Sequence, residues 1–157
     1  MTSEFAVDIS NDSGVSVDEN RLLDTADFVM SQLRLHPESE LAISLVDLVE
    51  MERLHVEYMD EPGPTDVLSF PMDELTAPAE GEAAEAGMLG DVVLSPHVAA
   101  QQAVTAGHST ADELDLLLTH GILHLLGHDH AEPEEHAVMF GLQGELLKKL
   151  ASKRSAS

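Results

Sequence analysis

Residues 114–126 read LDLLLTHGILHLL, with leucine or isoleucine at 114, 116, 117, 118, 122, 123, 125 and 126. At helical spacing these side chains leave no polar face broad enough to meet water, and a helix that is apolar all round is a buried one. Other elements therefore have to surround it. A chain of 157 residues is long enough for one domain with such a core. Gly127 supplies the left-handed residue that ends the helix. Thr110 and Glu113 form a capping-box pattern at its start, with Asp112 and Glu113 near the positive end of the helix dipole.

The rest of the chain offers the surrounding elements. Residues 5–9 alternate apolar and polar and read as a strand, followed by a turn at Asn11-Asp12-Ser13-Gly14. Residues 17–35 place Leu22, Leu23, Ala26, Val29, Met30 and Leu33 at helical spacing, and Pro37 lies just beyond. Residues 41–46 read as strand, 47–59 as a short helix with Leu48, Met51 and Leu54 on one side, and 65–70 as strand after the Pro62-Gly63-Pro64 turn. Residues 88–94 make a further strand, and residues 97–106 a helix that stops at Gly107. Residues 77–87, APAEGEAAEAG, are low in complexity and offer no packing face, so a mobile loop is expected there. The order β-α-β-α-β-β-α-α-α predicts an α+β fold, a small mixed sheet packed by helices. No linker or repeat interrupts it, which gives a single domain over residues 1–152 and a disordered tail at 153–157.

Composition narrows the setting. Aromatic residues are only 3% of the chain, so the core has to be built from aliphatic side chains and methionine. The absence of cysteine excludes disulfides and thiolate metal sites and suits a reducing compartment. The first residues, MTSEFAVDISND, carry no basic segment followed by an apolar run, and no stretch reaches the roughly 18 apolar residues of a membrane span. A soluble, cytoplasmic protein is expected.

The stretch HGILHLLGHDH, residues 120–130, carries the chemistry. His120 and His124 are i, i+4 on the last two turns of the buried helix, on one face and about 6 Å apart along the axis, a spacing at which two imidazoles converge on one metal. Beyond Gly127 the chain can turn sharply and return His128 or His130 as a third ligand; spacing alone does not choose between them. Three neutral imidazoles with an open fourth position describe a catalytic site for one divalent transition metal, zinc foremost, with nickel or copper also admitted by nitrogen ligands. Asp129 could orient a ligand through its N–H. The plain alternative is a set of satisfied core histidines, but burying several imidazoles without partners is costly.

The pattern begins like the zinc-protease motif H-E-x-x-H, with Gly121 in place of the glutamate that serves as general base. The base would have to come from elsewhere, with Asp66, Asp91 and Asp129 as candidates, or the metal alone would have to acidify water. Asp66 also reads as a strand-end cap, and Asp91 as part of a strand edge.

Charge constrains the partner. The formal net charge is −23, and no Lys or Arg lies between His55 and Leu147. Such a surface repels polyanions and taken alone argues against free nucleic acid as a partner.

Together these segments resemble a known family. HGILHLLGHDH is similar to the H-G-x-L-H-L-x-G-x-D-H signature of the bacterial YbeY family, the rRNA-maturation endoribonucleases. PTDVLSFP at 64–71, LGDVVLSP at 89–96 and VDISNDS at 7–13 resemble its other conserved segments, in order along almost the whole chain. The resemblance implies a zincin-like metal-dependent hydrolase fold and hydrolysis of single-stranded RNA. It also implies a role in maturing the 3′ end of 16S rRNA and in ribosome quality control, with the small subunit and assembly factors as partners. It assigns the metal ligands to His120, His124 and His130, and leaves His128 as a wall residue. One departure stands out: where the family often has an arginine after the aromatic that Tyr58 matches, this chain has Met59. An arginine there would suit a phosphoryl oxygen. Without it, the metal is the strong local positive charge, and affinity for free RNA should be low unless ribosomal proteins or another factor supply cations.

Two other readings compete: a metal-dependent hydrolase of another class such as a peptidase, and a non-catalytic ribosome-assembly factor with a structural metal. A fourth protein ligand, His128 or His136, would favour the structural role; an open position would favour an enzyme.

Overall fold

The computed structural model describes residues 5–156. Residues 1–4 and Ser157, the last residue of the expected tail, lie outside that range. The elements run β1 (Ala6–Asn11), α1 (Glu19–Gln32), β2 (Glu40–Leu45), α2 (Leu48–Met59), β3 (Val67–Pro71), β4 (Met88–Leu94), α3 (Pro96–Ala106), α4 (Thr110–Leu125) and α5 (Pro133–Ala156). Their order is the expected one, and the fold is α+β, a four-stranded mixed sheet packed by helices. The sheet order is β1-β2-β4-β3; β1, β2 and β4 run parallel, and β3 pairs antiparallel with β4.

The apolar helix is α4. Sheet strands β3 and β4 lie against it, and α1, α3 and α5 cover its remaining sides. Leu118, Ile122, Leu123 and Leu125 are fully or almost fully buried, each contributing roughly 1.5–3 kcal/mol through the hydrophobic effect. The main core joins these residues to Leu22, Ala26, Val29 and Met30 of α1 and to Ile43, Leu45, Val92 and Leu94 of the central strands. A smaller cluster of Val46, Met51, Leu68 and Val93 sits under α2. There Met51 is buried, but Leu48 of the expected apolar side is exposed.

Three local expectations are corrected. The cap of α4 is Ser109, one residue before the expected Thr110; its hydroxyl accepts from the Asp112 N–H at 3.1 Å. Glu113 is buried and bonded to His108 Nε2 at 2.6 Å instead of closing a capping box. Residues 77–87 hold no regular element and are mostly exposed, but the expected lack of a packing face fails at their start: Ala77 lies against the main core, and the Pro78 carbonyl accepts from Arg34 at 3.1 Å.

The third correction concerns the expected tail, because α5 continues through Ala156. Arg154 donates to Asp115 at 2.7 Å and to Asp24 at 3.1 Å, while Arg21 reaches the same Asp115 oxygen at 2.8 Å and the Thr25 hydroxyl bonds the other at 2.7 Å. Asp115 is buried, and a buried carboxylate needs such partners. Two of the chain's few cations are thus committed to clamping α1, α4 and α5 together, which holds residues 153–156 in a helix.

Candidate metal centre

The end of α4 makes the site. Gly127 adopts a left-handed φ of +94°, the His128 N–H returns to the Leu123 carbonyl at 3.1 Å, and the Gly127 N–H returns to the His124 carbonyl at 3.0 Å. This pair of bonds is the Schellman closure, and it reverses the chain within two residues. The reversal brings His130 back over the helix, its ring centroid 5.6 Å from His120 and 5.3 Å from His124. His128, left open by spacing, stays half-buried outside the group.

Ligand atoms of His120, His124 and His130 lie within 4.8 Å of one another. Nε2 of His120 and Nε2 of His124 are 3.1 Å apart, close to the roughly 3.3 Å expected of two nitrogens on a tetrahedral zinc with 2.0–2.1 Å bonds. His120 is fixed from behind: its Nδ1–H donates to Gln143 Oε1 at 2.7 Å, which leaves Nε2 with its lone pair toward the other rings. His124 is held by a hydrogen bond to the His128 backbone. Burial pushes the His120 imidazole below the usual histidine range, and nearby His130 adds to this against the opposing Gln143 bond and Asp66. Burial lowers His124 as well, reinforced by His120 and His130. Both effects favour neutral imidazoles, the form that binds a metal. The residues fit a divalent transition metal.

Among the described residues the converging group holds three histidines and no fourth ligand. His136 is instead stacked on Phe140, with its ring 6.4 Å from that of His130. The rings face a cleft of about 380 Å³ lined by Met59, Thr65, Asp66, Ser69, Pro71 and the three histidines, with Val67 and Leu68 behind.

Gly121 explains the missing glutamate. A Cβ at this position would sit 2.8 Å from Val92 Cγ1 and 3.2 Å from Ser69 Oγ. The helix packs so closely on β3 and β4 that the Ser69 hydroxyl donates to the Gly121 carbonyl at 2.9 Å. Any side chain here forces Val92 to shift, so the close helix–sheet contact opposes the H-E-x-x-H glutamate, and with it the usual peptidase base. Of the three candidate carboxylates, Asp66 lines the cleft. Its oxygens accept from the Val67 N–H at 2.7 Å and from Gln102 at 3.2 Å, so it caps β3 as well. Asp91 sits in the β4 ladder opposite Phe70, away from the cleft lining. Asp129 is exposed and accepts the His130 N–H at 2.7 Å.

Gln143 and Phe140 are the residues that sequence reasoning missed. Buried Met139, Gln143, Leu146 and Leu150 form one stripe of α5. A lone amide within an apolar stripe is a detectable signal, because a buried polar group needs a partner.

A buried helix that presents two histidines to a third across a glycine turn, beside an open cleft, defines a three-histidine site of the kind metal-dependent hydrolases use. The family model described as endoribonuclease YbeY matches residues 8–151, and the chain belongs to that family. A Thermobifida fusca (strain YX) protein named endoribonuclease YbeY is 61% identical over 143 residues, covering 91% of this chain and 92% of that protein. One of the same name from Arthrobacter sp. (strain FB24) is 56% identical over 153 residues, 98% of each chain. The solution structure of a Thermotoga maritima protein shares the fold, with a TM-score of 0.64 at 22% identity over 96% of this chain and 92% of that one. Among the described residues no helix is long and apolar enough to cross a membrane.

Proposed function

We propose that this chain is a metal-dependent endoribonuclease that hydrolyses single-stranded RNA. In this reading it acts in the cytoplasm on the 3′ end of 16S rRNA and in ribosome quality control, with the small subunit and its assembly factors as partners. The observation that carries the proposal is the convergence of His120, His124 and His130 on one point at an open cleft, in a chain of the endoribonuclease YbeY family. These three side chains would hold one divalent metal, zinc foremost. When bound, the metal supplies a Lewis acid for a phosphoryl oxygen and acidifies water.

The chain's own groups do the rest. Gln143 holds the His120 proton on Nδ1. Asp66 is the one candidate carboxylate that lines the cleft, and in this reading it would accept the proton. Leu68 and Val67 give the cleft an apolar floor that strengthens charge interactions above it.

The second reading, an assembly factor with a structural metal, draws support from the lack of Lys or Arg between His55 and Leu147. The test is incubation of metal-loaded protein with a single strand and with a duplex of the same sequence, using His124→Ala as control. Cleavage of the single strand that is lost in His124→Ala supports the nuclease. Stoichiometric metal with no cleavage of any strand, free or in small subunits, supports the structural role.

A further inference from the structure

The chain has four phenylalanines and one tyrosine, and one of these five, Phe140, lies against the histidine cluster. Phe140 and His136, i and i+4 on α5, stack with centroids 4.3 Å apart and 23° between their planes. The Phe140 ring lies 5.5 Å from His120 and 5.8 Å from His130. Both stacked residues are exposed, Phe140 at 38%, although the same helix buries Met139, Leu146 and Leu150.

Set against these π faces is an absence of cations. Arg21 and Arg154 are committed to Asp115, Arg53 pairs with Glu50 and Glu57, and no Lys or Arg occurs from 56 to 146. A polyanion that reaches the cleft finds few charges to hold its phosphates. Stacking of bases on aromatic rings gives affinity that needs no cation and tolerates any base.

We infer that the exposed Phe140–His136 stack is a nucleobase subsite. An unstacked base of a single-stranded RNA lies on the Phe140 face while the adjoining phosphodiester lies over the three histidines, a separation that one nucleotide spans. The inference rests on the nuclease reading and gives that reading its selectivity. Bases within a duplex are already stacked on each other and cannot occupy the ring.

The test uses a short single-stranded RNA carrying 2-aminopurine, and the same strand with abasic sugars at that segment, on metal-loaded protein. Binding should quench the 2-aminopurine fluorescence, and the abasic strand should bind more weakly. Phe140→Ala should raise KM and the dissociation constant by roughly 5- to 100-fold, the scale of one base–aromatic stack. Its kcat and metal content should be nearly unchanged, and Phe140→Trp should restore the quench. A wild type that binds and cleaves both strands equally, with Phe140→Ala indistinguishable from it, overturns this inference and leaves the nuclease reading intact. A Phe140→Ala protein that loses its metal also overturns it, because the ring would then serve the histidines. A wild type that neither binds nor cleaves any strand overturns both.

Discussion

Gly121→Ala sets two rules against each other. In an exposed helix interior the change would stabilise by about 1 kcal/mol, because alanine is the better helix former. Here the new Cβ falls 2.8 Å from Val92 Cγ1 and 3.2 Å from Val92 Cγ2 and Ser69 Oγ. Val92 is fully buried and stiff at χ1, so it cannot swing aside. Ser69 is held by its bond to the Gly121 carbonyl. Overpacking of this kind costs about 1–3 kcal/mol, which leaves a net loss of about 0–2 kcal/mol once helix propensity is subtracted. For a domain of this size that lowers Tm by up to roughly 8 °C. Gly121→Glu, which rebuilds H-E-x-x-H on paper, should be worse, because it also drives a carboxylate into the same closed space. Urea and thermal unfolding of the metal-free proteins give the numbers. A Gly121→Ala protein more stable than wild type by the ~1 kcal/mol of an open helix site would refute the close helix–sheet contact.

Gln143→Leu removes the acceptor that fixes the His120 tautomer and should weaken metal affinity roughly 10- to 100-fold, while Gln143→Glu keeps an acceptor and should retain tight binding; competition with a chromophoric chelator reads both. Deleting residues 153–157 takes Arg154 from Asp115 and should destabilise the fold by about 1–2 kcal/mol in urea, reduced from a fully buried pair because Arg154 is partly exposed; no change would restore the expectation of a dispensable tail. With few free cations near the cleft, affinity for free RNA should fall little or rise with added salt, in contrast to the usual steep loss per phosphate contact. Met59→Arg, at the cleft wall, should raise single-strand cleavage by up to about 1.5–3 kcal/mol of added interaction, and no gain would mean that this position does not meet phosphate.

Much of this was legible because the strongest signals are local. The all-round apolar run of α4 could only be a buried helix, and Gly127 could only be its end. The i, i+4 pair His120 and His124 then follows from helix geometry. The choice of His130 over His128 was not legible from spacing, because it depends on how the chain emerges from the Schellman turn. Gly121 was read as a missing base; only the packing of α4 on β3 and β4 shows how closely the position is packed. The tail was misread because its order comes from Asp115, an acidic residue 39 positions away from Arg154 along the chain. Burial of Asp115 on an otherwise apolar helix depends on α1 and α5, which sequence periodicity cannot place. The same holds for Gln143, whose partner His120 lies 23 residues earlier on a different helix.

A stoichiometric zinc titration joins the site to its chemistry most directly. Metal-free protein receives increasing zinc, and cleavage of a short single-stranded RNA is followed beside metal binding. Cleavage should rise in proportion to bound zinc, saturate at one per chain, and be absent at every zinc level in His120→Ala and His124→Ala. Full cleavage by the metal-free protein, or by His124→Ala at any zinc concentration, would contradict a reaction centred on His120, His124 and His130.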